Sequence, residues 1–256
     1  MMAKRRSASV PGTNRPPPSA PSRPAPPSIL NRLLAALPAA DRDRVLPTLD
    51  IVPLKLKDFM QKAGERLQYV YFPGGGFLSI VTVLQDGRMV EVATVGCEGA
   101  VGVTMVLENT PITSATMVQG ESDTCYRMTA SAFRREMDRR GAFYELLTRY
   151  ANAHIGVVMQ ATACNAVHTV EQRLARWLLM AHDRMATDEF PLTQEFVAMM
   201  LGATRPTVSV VAGMLQKAGL ITYHHGRVAI VDRSKLESAS CECYAAATNL
   251  LRTVTS

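Results

Sequence analysis

Arg205 is the residue of this sequence with the most chemistry to offer. It stands in TRPTVSV, after a threonine able to cap a helix and before a proline suited to a first helical turn. A guanidinium at the leading end of a helix can donate two hydrogen bonds to O6 and N7 of one guanine. Such a pair is worth on the order of 1–3 kcal/mol of base discrimination. Thr193, Gln194, Thr204, Thr207 and Ser209 lie around it and can bond phosphates or base edges, while Val210 can meet a thymine methyl. With Pro206 they complete a candidate set for reading duplex DNA.

Two helices must hold that set. The stretch Leu192 to Ile221 reads LTQEFVAMMLGATRPTVSVVAGMLQKAGLI. Thr193 caps a first helix whose apolar residues are Phe196, Val197, Met200 and Leu201, and Gly202 ends it. Thr204 caps a second, with Val208, Val211, Ala212 and Leu215 as its inward stripe. Arg205, Pro206, Thr207, Ser209 and Val210 are left at its leading end or outer face, the presentation a recognition helix requires. Beyond Gly219, Ile221-Thr222-Tyr223 and Arg227 to Val231 flank His224-His225-Gly226, which predicts a two-stranded wing.

Upstream the patterning changes twice. Residues 50–130 hold short β-rich runs at Ile51 to Leu54, Val70 to Phe72, Leu78 to Leu84, Met89 to Val95 and Ala115 to Val118. Asp86-Gly87 is a hairpin turn signal, and the set predicts an antiparallel barrel or roll. Asn31 to Leu49 reads as one helix before it. Residues 131–186 return to helical spacing, with a stripe through Leu146-Leu147, Tyr150-Ala151, His154-Ile155, Val158 and Ala161. A second stripe, Leu174, Trp177-Leu178 and Ala181, follows the interrupting Thr169. The first stripe is expected to bury against a second copy of the chain rather than against the roll.

The expected division is residues 1–28 as a disordered Pro/Arg-rich tail, 29–140 as a β-roll effector domain and 141–168 as a dimerisation helix. Residues 169–240 form the winged helix-turn-helix, and 241–256 a C-terminal helical tail. The fold class is α+β. The formal charge of +6 says little about DNA, because Lys4, Arg5, Arg6, Arg15 and Arg23 stand in the tail; 23 basic residues face 22 acidic ones beyond it. No apolar run approaches the ~20 residues of a membrane span, and prolines occupy the place of a secretory signal's apolar stretch. Five cysteines, mostly far apart, suit a reducing cytoplasm.

Enzyme motifs are missing: no phosphate-binding Gly-Lys-Ser/Thr loop, no Gly-x-Ser-x-Gly elbow and no His-Glu-x-x-His pair. Cys241-x-Cys243 could join His224 or His225 as soft metal ligands, but two ordinary thiols are the simpler reading, and no metal site is assigned. His154 and His168 read as packed residues rather than haem ligands.

With these residues in view, the chain resembles the Crp/Fnr family of transcription regulators. The resemblance rests on the helix-turn-helix followed by AGLITYHHGRVAIVDRSKLE, and on YFPGGGFLSIV, LQDGRMVEVATVG and EGAVGVTMVLENTPITSATMV in the roll. It implies a cyclic-nucleotide-binding-like β-roll, a long dimer helix and two recognition helices on a palindromic site. The implied partners are double-stranded DNA, a second copy of the chain (a homodimer), RNA polymerase and an unknown small-molecule effector, with no membrane. In the family's cyclic-nucleotide members a cassette runs Gly-Glu-Leu, eight residues, Arg-Ser-Ala. Here it aligns as Gly102-Val103-Thr104 and Thr113-Ser114-Ala115, so Val103 replaces the carboxylate and Thr113 the guanidinium. The family's adenine-contacting hydroxyls fall on Val158 and Met159. No cyclic-AMP cofactor is therefore expected. The rival readings are a redox- or metal-responsive regulator using Cys241 and Cys243, and a related roll that binds no DNA.

Overall fold

The computed structural model describes residues 29–103 and 111–255. The expected tail, 1–28, and the cassette's Thr104 lie outside the described residues. The described residues open on α1 (Arg32–Ala35) and α2 (Ala39–Val45). The single helix expected from Asn31 to Leu49 is therefore corrected to two short ones and a 3-10 turn at Leu46–Thr48. Pro38 has no N–H to continue α1, and Leu49 already belongs to a strand. Asn31 is buried and spends all its polar capacity locally. Its Oδ1 accepts from Leu33 N–H and Leu34 N–H at 3.1 and 3.2 Å, and its Nδ2 donates to the Pro73 and Gly99 carbonyls at 2.9 Å each.

The roll is built of two antiparallel sheets. One orders β1 (Leu49–Leu54), β7 (Ser122–Thr129) and β3 (Tyr69–Pro73); the other orders β2 (Phe59–Gln61), β6 (Ala115–Gly120), β4 (Phe77–Val83) and β5 (Met89–Val95). Strands β2 and β7 escaped the sequence reading. β7 is nevertheless the middle strand of its sheet; its outward face carries Arg127, which pairs with Asp50 and stacks over Tyr69, and this polar side masks the apolar run.

Helices α3 (Ala130–Asp138) and α4 (Ala142–Val167) follow. At 26 residues α4 is about 39 Å long. The expectation that its stripe serves a partner is corrected for its first half. Phe143, Leu146, Leu147 and Tyr150 are buried in this chain's own core with Phe133, Met128 and Val70. Only further along does α4 turn apolar side chains outward, at Ile155, Met159 and Val167.

A capping box of Thr169 and Gln172 starts α5 (Val170–His182), which leads to β8 (Glu189–Pro191), α6 (Gln194–Leu201) and α7 (Arg205–Lys217). Strands β9 (Ile221–His224) and β10 (Arg227–Ile230) form the wing hairpin, and β8, absent from the sequence reading, adds a third strand to it. Two last helices, α8 (Arg233–Ala239) and α9 (Cys243–Arg252), close the described chain. The segment after residue 240 is no loose tail. Leu250 lies against Gly156 of α4, and Val254 enters the core shared by α3, α4 and the roll. Among the described residues no single helix is long and apolar enough to cross a membrane.

The roll and the C-terminal helices share a seam. The Phe77 and Trp177 rings meet edge-on at 6.0 Å, and Trp177 Nε1 donates to Glu91 at 2.8 Å. Arg184 pairs with Glu98 at 2.7 Å in a buried bridge.

Candidate nucleic-acid interface

The interface is assembled by short-range chemistry. Thr193 Oγ accepts from Phe196 N–H at 3.3 Å and starts α6, which buries Val197, Ala198, Met200 and Leu201. Gly202 ends α6 at φ 58, ψ 35, a left-handed conformation that a Cβ would strain. Arg173 of α5 adds a side-chain cap, its Nη1 donating to the Leu201 carbonyl at 2.9 Å. Two residues later Thr204 Oγ accepts from Thr207 N–H at 3.4 Å and α7 begins. The two helix axes turn by 106°, within the range of helix-turn-helix pairs.

α7 buries Val208, Val211, Ala212 and Leu215 and so fixes which face remains outside. Arg205, Pro206, Thr207 and Val210 are exposed there. Among the described residues the Arg205 guanidinium has no hydrogen bond or ion pair, and it stands at the positive end of the α7 dipole, a place suited to phosphate or base acceptors. Other members of the predicted set are already committed. The Thr204 and Thr207 hydroxyls bond each other at 2.9 Å. Ser209 is half-buried; its hydroxyl bonds Gln194 Oε1 and the Arg205 carbonyl, which also occupies Gln194. The sequence reading missed Gly213, Met214 and Lys217, which extend the exposed face of α7. Continuing the three- and four-residue steps from Arg205 and Val210 would have reached them.

The wing folds beside this helix. His225 at φ 50 and Gly226 at φ 74 make the tight turn expected of a two-residue hairpin loop. Tyr223 anchors the wing to the segment before α6 and to α7, its hydroxyl donating to the Leu192 carbonyl at 2.6 Å while its N–H donates to Gln216 of α7 at 2.8 Å.

The effector cassette looks different. Gly102 sits at φ 90, and Val103 is buried with Leu67, Val70 and Ala100 in an apolar cluster. Thr113 is exposed, Ser114 half-buried and Ala115 buried. Val158 is half-buried on α4 and Met159 points outward, 68% exposed. The cassette positions therefore supply neither the carboxylate nor the guanidinium of the cyclic-nucleotide pattern.

The cysteines are placed by the fold in a way their spacing concealed. Cys241 and Cys243 lie not with His224 or His225 but with Cys164 and His168 at the end of α4. Cys97 and Cys125 stand apart from that group.

Comparison with known proteins follows the same division. Residues 52–140 match the cyclic nucleotide-binding domain model, and residues 172–239 match the Crp-like helix-turn-helix domain model. Similar solved structures include a CRP-family transcriptional regulator from Thermus thermophilus, at 21% identity and TM-score 0.58, covering 73% of this chain and 95% of that one. FixK2 from Bradyrhizobium japonicum aligns at 18% identity and TM-score 0.61, over 75% of this chain and 98% of its own. The c-di-GMP-responsive global regulator CLP of Xanthomonas campestris aligns at 15% and 0.58, over 75% and 99%. At such identities the structural likeness speaks for the fold alone. No individual curated protein matches the sequence significantly.

Proposed function

Because the chain belongs to the Crp/Fnr family of transcription regulators, we propose that it acts as a homodimer whose two α7 helices read a palindromic DNA site. The reading rests on one observation: Arg205 is exposed, unpaired among the described residues and held at the capped leading end of α7. Thr193, Gln194, Thr204, Pro206, Thr207, Ser209 and Val210 form its surroundings, and Arg205 is the base-reading group among them. Residues 29–140 serve as the sensor, 141–168 as the dimer helix and 169–240 as the DNA-binding domain. Ile155, Met159 and Val167 supply the outward apolar stripe for the partner copy. The protein works in the cytoplasm, where it meets DNA and RNA polymerase.

The signal is not cyclic AMP. Val103 and Thr113 leave the ligand's hydroxyl and phosphate unpaired, which commonly costs several kcal/mol in a desolvated pocket. Since the neighbour CLP is described as c-di-GMP-responsive, one fold accommodates more than one signal. Selection of bound fragments from random duplex DNA tests the main proposal. Arg205→Ala is expected to lose sequence preference and keep salt-sensitive binding to any duplex. Equal loss on every sequence would make Arg205 a phosphate contact, and no preference in the wild-type protein would end the reading. A saturable thermal shift with cyclic AMP would overturn the second statement.

A further inference from the structure

Four potential ligands from two distant parts of the chain converge where α4 ends. Cys164 and His168 stand one helical turn apart on α4; Cys241 and Cys243 precede and open α9. Their donor atoms all lie within 4.8 Å of one another, and the three cysteines are buried. Cys164 Sγ is 3.5 Å from Cys241 Sγ, and Cys243 Sγ is 3.6 Å from His168 Nδ1. A tetrahedral zinc ion with its usual bond lengths sets S···S edges of about 3.8 Å and S···N edges of about 3.6 Å. A disulfide would need the sulfurs at about 2.05 Å.

The surroundings are those of a metal centre rather than of four side chains that happen to meet. His168 directs Nδ1 at the cluster and Nε2 at Glu242, whose carboxylate lies 3.3 Å away. That carboxylate–histidine arrangement fixes the tautomer that leaves Nδ1 free to bind a cation. Gln160, one turn before Cys164, donates its amide N–H to Cys243 Sγ at 3.0 Å, a contact suited to a thiolate. The Cys241-Glu242-Cys243 run thus gives two sulfurs to the cluster and sends the acid between them to the histidine. Three thiolates on a dication leave one negative charge. Arg176 answers it: the side chain is buried, its Nε has no hydrogen-bond partner among the described residues, and its charge acts on Cys164.

We propose that Cys164, His168, Cys241 and Cys243 bind one zinc ion, which clasps α9 to the end of α4. The donor set of three sulfurs and one imidazole with no open position suits a structural zinc site. Its position gives it a consequence. His168 is the C-cap of α4, and Thr169 begins the helix that carries the DNA-binding domain. The clasp therefore holds the joint through which the long helix aims α7.

Native mass spectrometry of the full chain, purified under reducing conditions without chelator, is expected to show one zinc per protomer. Cys164→Ser, Cys241→Ser and Cys243→Ser each lose it, whereas Cys97→Ser and Cys125→Ser, outside the cluster, retain it. A misfolded serine variant would lose metal trivially, so the wild-type chain provides a second readout. Cobalt(II) replacing zinc gives the intense visible bands of a tetrahedral thiolate centre. A wild-type chain that holds no zinc and takes up neither zinc nor cobalt(II) overturns the proposal. So does metal retained by Cys243→Ser, iron in place of zinc, or a Cys164–Cys241 disulfide as the isolated form. None of these readouts depends on DNA binding.

Discussion

The leading end of α7 and the start of the cassette at Val103 treat polar groups in opposite ways. At α7 the fold satisfies Thr204, Thr207, Ser209 and Gln194 among themselves and leaves one charged group, Arg205, unspent in solvent. At Val103 an aliphatic side chain packs with Leu67, Val70 and Ala100 and offers no hydrogen-bonding group. A recognition surface keeps hydrogen-bonding capacity in reserve, whereas a core consumes it. By that criterion the leading end of α7 has the character of a surface and Val103 that of a core residue.

The most severe way to break the contrast is to return the missing carboxylate. Val103→Glu places an acid among the apolar side chains of Leu67, Val70 and Ala100 and is expected to cost about 3 kcal/mol or more. Urea denaturation would measure it. A stable variant that gains cyclic-AMP binding would mean that the pocket is only dormant.

The seam between the roll and the C-terminal helices comes next in size. Glu91 is partly buried, and desolvation lifts its carboxyl from 4.5 to about 7 against the hydrogen bonds from Ser79 and Trp177. The folded chain keeps a proton that the unfolded chain releases near 4.5. The contribution of Glu91 is thus fully present in acid and is lost as pH rises through about 7. Glu91→Gln is expected to flatten this dependence and to stabilise the chain by about 2 kcal/mol at alkaline pH. Denaturation midpoints between about pH 5 and about pH 8 check it; an unchanged slope would assign the dependence to other groups.

The finest test separates spent from unspent groups on α7 itself. Ser209→Ala, whose hydroxyl is already engaged, is expected to change affinity for the selected site by no more than about 0.5 kcal/mol. Arg205→Ala should cost about 1–3 kcal/mol on that site. Fluorescence anisotropy with the selected duplex compares them directly, and equal losses would show that the serine breaks its internal bonds to reach DNA.

Most of what was legible in the sequence was local. Thr193, Gly202, Thr204 and Pro206 mark helix ends within a few residues of their effect, so α6, the turn and α7 could be read nearly to the residue. The hairpin turns were equally plain. Strand β7 was not, because Arg127 and Ser122 interrupt its alternation and its central place depends on β1 and β3. The stripe on α4 showed that something must cover it but not what. Tyr150 and Leu147 look the same in sequence as Ile155, yet the first two meet this chain's own core and the third meets solvent.

Two things, then, were written in the linear chain: where helices and turns begin and end, and that Arg205 stands at the tip of an exposed helix. Caps, glycine and proline act through bonds spanning three or four residues, so no knowledge of the fold is needed to use them. Only the tertiary structure decided that Ser209 and Gln194 satisfy each other, that Val103 closes a core, and that Cys164 meets Cys241 across 77 residues. Those outcomes depend on the path of the chain between the partners, and no local spacing encodes that path.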